Sequence, residues 1–211
     1  MVNIILVVIN VLVFFWEISL GRQIEPVLFN VAFVPARFWY LPGALLPNMI
    51  TMFVSMFLHG GWLHLGGNML YLWIFGDNVE DRLGHGRFLF FYLGCGLVAA
   101  LTQVALSPDS TVPTVGASGA IAGVLGAYLI SFPRSRVMTF IPLFIFPWIV
   151  EIPAVAYLII WFAMQLLSGL VSLGQTEAAM GGIAWWAHIG GFVAGLLTVG
   201  VVAPRRLTQV A

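Results

Sequence analysis

The sequence is short of charge. Only 8% of its 211 residues are Asp, Glu, Lys or Arg, while 61% are hydrophobic. A soluble domain carries about a quarter charged residues, so too few polar side chains remain here to cover a water-facing surface. The solvent that fits is a bilayer. Lysine is missing altogether, and all eight basic residues are arginine. The formal net charge is zero, which argues against nucleic acid as a partner. Cysteine is nearly absent. Cys95, alone in an apolar run, can form no internal disulfide and no metal-ligand pair, and it reads as a small packed residue. No metal and no cofactor is expected. There is no linker, charge run, low-complexity segment or clear repeat, so residues 1–211 read as a single polytopic domain. The opening VNIILVVINVLVFF shows neither a basic leader nor a small-residue cleavage site, so it reads as a first, retained helix.

What is present is a series of apolar runs. A helix needs about 20 apolar residues to cross the hydrocarbon core. Six segments come near that length, at residues 3–20, 62–80, 87–107, 115–132, 152–172 and 183–203. Helices are favoured because each satisfies its own backbone hydrogen bonds in lipid. The expected fold is therefore an all-α, six-transmembrane-helix bundle. Two other apolar stretches are broken by proline, which disrupts a helix interior. Residues 27–58 contain Pro35, Pro42 and Pro47, and residues 137–150 contain Pro142 and Pro147. Both read as connections at the membrane surface, the first a large one with short helices.

Six spans put both termini on one side. Arg82, Arg87, Arg134, Arg136, Arg205 and Arg206 then share that side, with only Arg22 and Arg37 opposite. The positive-inside bias makes the termini cytoplasmic.

With this topology, spans two, four and six start at the outer face. His64 and Asn68 lie near the start of span two, Ser118 near the start of span four, and His188 a little over one turn into span six. At about 1.5 Å per residue, all four sit within roughly 10 Å of the outer boundary. His64 and Asn68 are four apart and share a helix face. Polar residues inside membrane helices are expensive and by default mark function; the plainer reading is interhelical glue. Four of them converging from three helices favour a site. Span four carries Gly119 and Gly123, and span six Gly191 and Gly195. Such small-xxx-small patterns let membrane helices approach closely, which would bring His188 toward Ser118.

That pairing has a chemistry. A serine hydroxyl is a weak nucleophile until a base takes its proton, and neutral imidazole can take it and return it to a leaving amine. Ser118 would attack a carbonyl, with His188 as the base. The developing oxyanion needs donors. The Ser118 N–H at a helix start, Asn68 and His64 could supply them, and Gly116 and Gly119 let the backbone bend and approach. No carboxylate fits a third place. Glu17 ends span one; Asp77, Glu80 and Asp81 lie at the cytoplasmic end of span two; Asp109, Glu151 and Glu177 are in connections. The expectation is a dyad, with His188 oriented by packing.

In order and spacing, FLHGGWLHLGGNMLYLWIFGDNVEDRLG, GASGAIAG and AHIGGFVAG resemble the rhomboid intramembrane serine proteases, from about Phe57 to Gly195, with a rhomboid core at about residues 50–203. The resemblance implies Ser118 as nucleophile, His188 as general base, and His64, Asn68 and Ser118 as the oxyanion hole. It implies a water-filled cavity open to the outside, single-span membrane-protein substrates with helix-weakening residues near the cut, and hence a lipid bilayer as the working medium. Three positions depart from patterns seen in some members. Ile50 and Thr51 stand for a Trp-Arg pair, with Trp39 nearby; Ala122 stands for a tyrosine that stacks on the histidine; Ser55 stands for a further histidine. His59 reads as a structural residue of the loop turn, His85 as a solvated loop residue, Glu80 and Arg82 as a capping or ion-pair feature, and Trp185–Trp186 as an interface anchor.

The leading expectation is an intramembrane serine endopeptidase in a prokaryotic plasma membrane, its site facing the outer side. A catalytically silent chaperone or scaffold of the same fold would require loss of the dyad. A channel or transporter would favour charges or broken helices at the bilayer centre.

Overall fold

A computed structural model describes residues 1–40, 45–143, 146–173 and 182–204. The expected sites Glu177, Arg205 and Arg206 lie outside them. Six long helices form the body: α1 (Val2–Ser19), α5 (Trp62–Leu83), α6 (His85–Leu106), α7 (Ser118–Ser131), α8 (Ala154–Ser172) and α9 (Trp185–Val202). Their ends fall within three residues of the six expected spans. The first connection holds α2 (Ile24–Val31), α3 (Pro35–Tyr40) and α4 (Leu45–Ser55), short helices as the prolines implied.

The second connection differs from expectation. It is an antiparallel hairpin of β1 (Arg136–Leu143) and β2 (Phe146–Pro153) between α7 and α8. Its two prolines sit opposite each other, Pro142 against Pro147. Both strands of a two-stranded sheet are edges, where proline costs no ladder bond if its nitrogen faces outward. An exposed Arg136–Glu151 pair joins the strands near their base.

The core lies between the helices and contains Leu72, Phe75, Val79, Phe88, Tyr92, Leu125 and Phe192, all buried. Cys95 is buried among them, as expected. Outward faces carry bare apolar side chains such as Leu12, Phe15, Trp73, Phe90, Ile159, Leu167 and Leu197, the distribution a lipid-facing helix requires. α1, α6, α8 and α9 are each long and apolar enough to span. α5 has 22 residues with its charges gathered at one end, around Asp77–Arg82.

α7 is different. Its 14 residues rise about 21 Å at 1.5 Å each, less than a 30 Å hydrocarbon core. It is the central helix, and ten of its residues are buried. A helix this short falls short of at least one membrane surface, and its first residue is Ser118.

α7 and α9 touch backbone to backbone. A methyl group added at Gly191 would lie 2.0 Å from the Gly119 carbonyl oxygen, and one at Gly195 would lie 1.8 Å from that of Gly123. Only glycine permits such an approach. At the opposite end of the bundle, Glu80 accepts the backbone N–H groups of Val2 and Asn3, each at 2.7 Å, and so caps α1. It also bonds His85 at the start of α6, so His85 is tied to the turn as well as partly solvated. Arg82 donates separately, to the Pro204 carbonyl at 3.5 Å.

Candidate active site

Ser118 and His188 meet where α7 and α9 close. The Ser118 hydroxyl donates to His188 Nε2 at 2.8 Å. The other ring nitrogen, Nδ1, donates to Gln165 Oε1 on α8, also at 2.8 Å. An amide oxygen only accepts, so this placement matches an imidazole protonated at Nδ1, with the Nε2 lone pair toward the serine. Gln165 was not singled out from the sequence. Its signal was there: it is the one amide in an apolar span. It lies seven residues from the C-terminal end of α8, about 10 Å at helical rise, the depth expected of the other four.

The expectation that His188 is oriented by packing in place of an acid thus gains a polar contact, the Gln165 amide. Ala122 is indeed buried and offers no ring. Aromatic neighbours come from elsewhere: Trp161 of α8 lies tilted to the imidazole, ring centroids 6.1 Å apart at 38°, and Trp185 meets it edge-on at 6.2 Å. Trp186 is buried against Gly169, while Trp185 is half-buried beside the imidazole. Next to His188, the Ala187 N–H at the start of α9 donates to Gln103 Oε1 of α6 at 3.2 Å. The same N–H also reaches the Ala184 carbonyl at 3.1 Å, so it is shared between the helix's own first turn and α6.

Facing the serine are the donors of α5. Gly60 N–H reaches His64 Nδ1 at 3.4 Å, leaving the neutral ring its proton on Nε2. That Nε2 points at Gly116, two residues before Ser118: a Cβ there would lie 2.6 Å from it and 3.5 Å from Asn68 Nδ2. Gly116 has φ +122°, a conformation that L side chains rarely adopt, so the site needs glycine here for two reasons.

Asn68 is itself oriented. One of its N–H bonds donates to His59 Nε2 at 3.0 Å, and His59 Nδ1 donates to the Phe57 carbonyl at 3.3 Å. Burial, and behind it the facing His64 ring, pushes the His59 pKa down to about 4, so this imidazole stays neutral and able to accept. The His59 backbone N–H in turn donates to the buried Glu17 carboxylate of α1, at 3.1 and 3.2 Å. The second Asn68 N–H remains to serve the cavity. His59 thus has a structural contact in the loop turn, and the group it orients is Asn68.

Ser55 joins the first connection to the site. Its hydroxyl accepts the Phe33 N–H at 2.6 Å, and its carbonyl accepts the Gly116 N–H at 2.8 Å. Phe33 also pairs with Thr114. A serine here binds two backbones at once.

These groups line one cavity of about 710 Å³, with Leu63, Tyr71, Thr114 and Ile183 completing its walls. It is lined mainly by apolar groups, with convergent polar ones at Ser118, His188, His64, Asn68 and Gln165, the usual character of a binding site. Among the described residues no group of three or more His, Cys, Asp or Glu could hold a metal.

Residues 47–205 match the family described as the Rhomboid domain. Rhomboid protein 1, mitochondrial, of Saccharomyces cerevisiae is 32% identical over 154 residues, 71% of this chain and 41% of that protein. Rhomboid protease GluP of Bacillus subtilis is 47% identical over 72 residues, 34% of this chain and 14% of its own length. The human Presenilin-associated rhomboid-like protein, mitochondrial, is 33% identical over 98 residues, 45% of this chain and 26% of its own length. The chain thus spans about two fifths or less of these relatives. Its match to the family covers most of its own length, through all six long helices but the first. This integral membrane protein belongs to the rhomboid family, whose members are usually serine proteases.

Proposed function

We propose that the chain is an intramembrane serine endopeptidase working through a Ser118–His188 dyad. The observation that carries this reading is the 2.8 Å bond from the Ser118 hydroxyl to a His188 Nε2 whose partner nitrogen is already committed to an acceptor. Ser118 Oγ attacks the carbonyl carbon as His188 Nε2 takes its proton. The tetrahedral oxyanion is met by His64 Nε2–H, the free Asn68 N–H and the Ser118 backbone N–H at the helix start. When the C–N bond breaks, the His188 proton passes to the leaving amine and an ester to Ser118 remains. Water entering the cavity then attacks that ester under the same base, which frees the acid product and restores the hydroxyl.

The substrates of this reading are single-span membrane proteins, reached from within the bilayer. A regular helix shields its peptide bonds, so the segment cut must unwind into the cavity. The arginine asymmetry supports cytoplasmic termini and a site facing the outer side, and we place the protein in a prokaryotic plasma membrane. A silent scaffold of the same fold is the rival. The intact dyad and donors favour the protease, since a scaffold has no use for this hydrogen-bond polarity.

The test is cleavage of single-span reporters in liposomes by wild type and by Ser118→Ala and His188→Ala. Cleavage by wild type alone is expected. Equal cleavage by the variants, or none by wild type across several reporters, would sink the reading. A reporter fused after Gln209 tests the topology, and an extracellular signal from it would reverse the assigned sidedness.

A further inference from the structure

α8 places four residues inward: Ala154, Leu158, Gln165 and Gly169. Three are small or apolar. The fourth is an amide only 8% exposed, and it touches the proposed base. An amide between membrane helices is ordinarily glue, worth a modest gain whichever group it meets. Here the group met is the one ring nitrogen whose protonation decides what the other can do. If Nε2 carried the proton, His188 would present a donor to Ser118 and could not accept the hydroxyl proton.

The geometry points to Gln165 as a positioning residue that holds His188 in its Nδ1–H form, the amide standing where other serine hydrolases place a carboxylate. This rests on the protease reading. The amide has a physical logic in this setting. An ionised acid beside a buried imidazole needs a compensating charge or water to be stable in a low-dielectric site, and among the described residues no arginine or lysine lies in the cavity wall. A neutral acceptor fixes the tautomer without that cost. It gives less electrostatic support to the imidazolium formed in the reaction than a carboxylate would.

The placement also makes the base depend on a third helix. The nucleophile and the base stand on α7 and α9, which are locked by glycine contacts. The acceptor stands on α8, which is tied to α5 by the Tyr71–Tyr157 hydroxyl bond of 2.6 Å and by Phe75 against Tyr157 at 6.2 Å. The tautomer is therefore held only while α8 is seated.

Full-length protein labelled with ¹⁵N-histidine in detergent or liposomes, as wild type, Gln165→Met and Gln165→Glu, tests this. Long-range ¹H–¹⁵N spectra, assigned by substituting each histidine in turn, report which ring nitrogen bears the proton. Wild-type His188 is expected as Nδ1–H. Gln165→Met, which keeps length and loses the acceptor, is expected to give mixed tautomers, kcat down about 100-fold, the scale of general-base catalysis, and KM within about twofold. Gln165→Glu restores an acceptor and is expected to recover Nδ1–H and most of the rate. A wild-type Nε2–H signal would overturn the proposal, as would Gln165→Met with unchanged tautomer and kcat, or equal rate loss in Met and Glu variants. Wild type that neither cleaves nor reacts with a fluorophosphonate, yet shows Nδ1–H lost in Gln165→Met, overturns the protease reading and leaves the tautomer assignment standing.

Discussion

α9 and α8 approach the same serine and do so by opposite means. α9 meets α7 with bare backbone, Gly191 on Gly119 and Gly195 on Gly123, so close that a methyl group has no room. α8 leaves most of its surface to lipid, with Ile159, Ile160, Met164, Leu167 and Leu170 exposed, and reaches the site through Gln165, Trp161 and the Tyr157 hydroxyl. In the proposed mechanism the first contact fixes where the base stands, and the second sets which face of it is basic. Separating the two assigns rigidity to the nucleophile–base distance and leaves protonation to the less tightly packed helix.

Substitutions can break that contrast. The largest effect is expected at the seam. Gly195→Val puts branched carbon into the Gly123 carbonyl, and overpacking of this kind costs about 3 kcal/mol or more when backbones must part. Thermal unfolding in detergent should shift down sharply and activity should vanish with it. Next come the oxyanion donors. Asn68→Ala should lower kcat about 100-fold to 1,000-fold, with the unfolding midpoint lowered only slightly, by loss of the buried bond to His59. His59→Ala acts one step back. Losing the acceptor for Asn68 should cost about tenfold in kcat, scaled down from a direct donor, and combining it with Asn68→Ala should add almost nothing. Independent, additive losses would show that His59 does not act through Asn68. The smallest effect is expected on α8. Tyr157→Phe removes one hydroxyl bond worth about 1 kcal/mol. It should lower kcat a few-fold, and far less when Gln165→Met is already present. If Tyr157→Phe unfolds the protein as Gly195→Val does, the contrast between the two helices is wrong.

Much of this was legible in the sequence for a simple reason. In a chain with 8% charge, each polar residue inside an apolar run carries information, and helical rise converts position into depth. The spans, the short helices of the first connection, and the grouping of Ser118, His188, His64 and Asn68 all follow from that. The hairpin did not, because Pro142 and Pro147 read as breakers when seen singly; only the register shows them facing each other on a sheet that is all edge. The support of His188 was missed because the family pattern directs attention to Ala122 on α7, four residues from the serine. Its partners come from α8 and from Trp185, and which helix faces which is set by packing that no single segment encodes. Gln165 still carried the same depth signal as the others. Gln103 and Glu17 are further buried polar groups of this kind, and each turned out to hold a backbone amide next to the site.

The central claim is that Ser118 is a nucleophile activated by His188. Its most direct test is covalent labelling with a fluorophosphonate in liposomes, followed by peptide mass mapping. The account predicts one adduct, on Ser118, lost in His188→Ala while the unfolding midpoint is kept. An unlabelled wild-type protein, or a His188→Ala variant labelled at the wild-type rate, would contradict it.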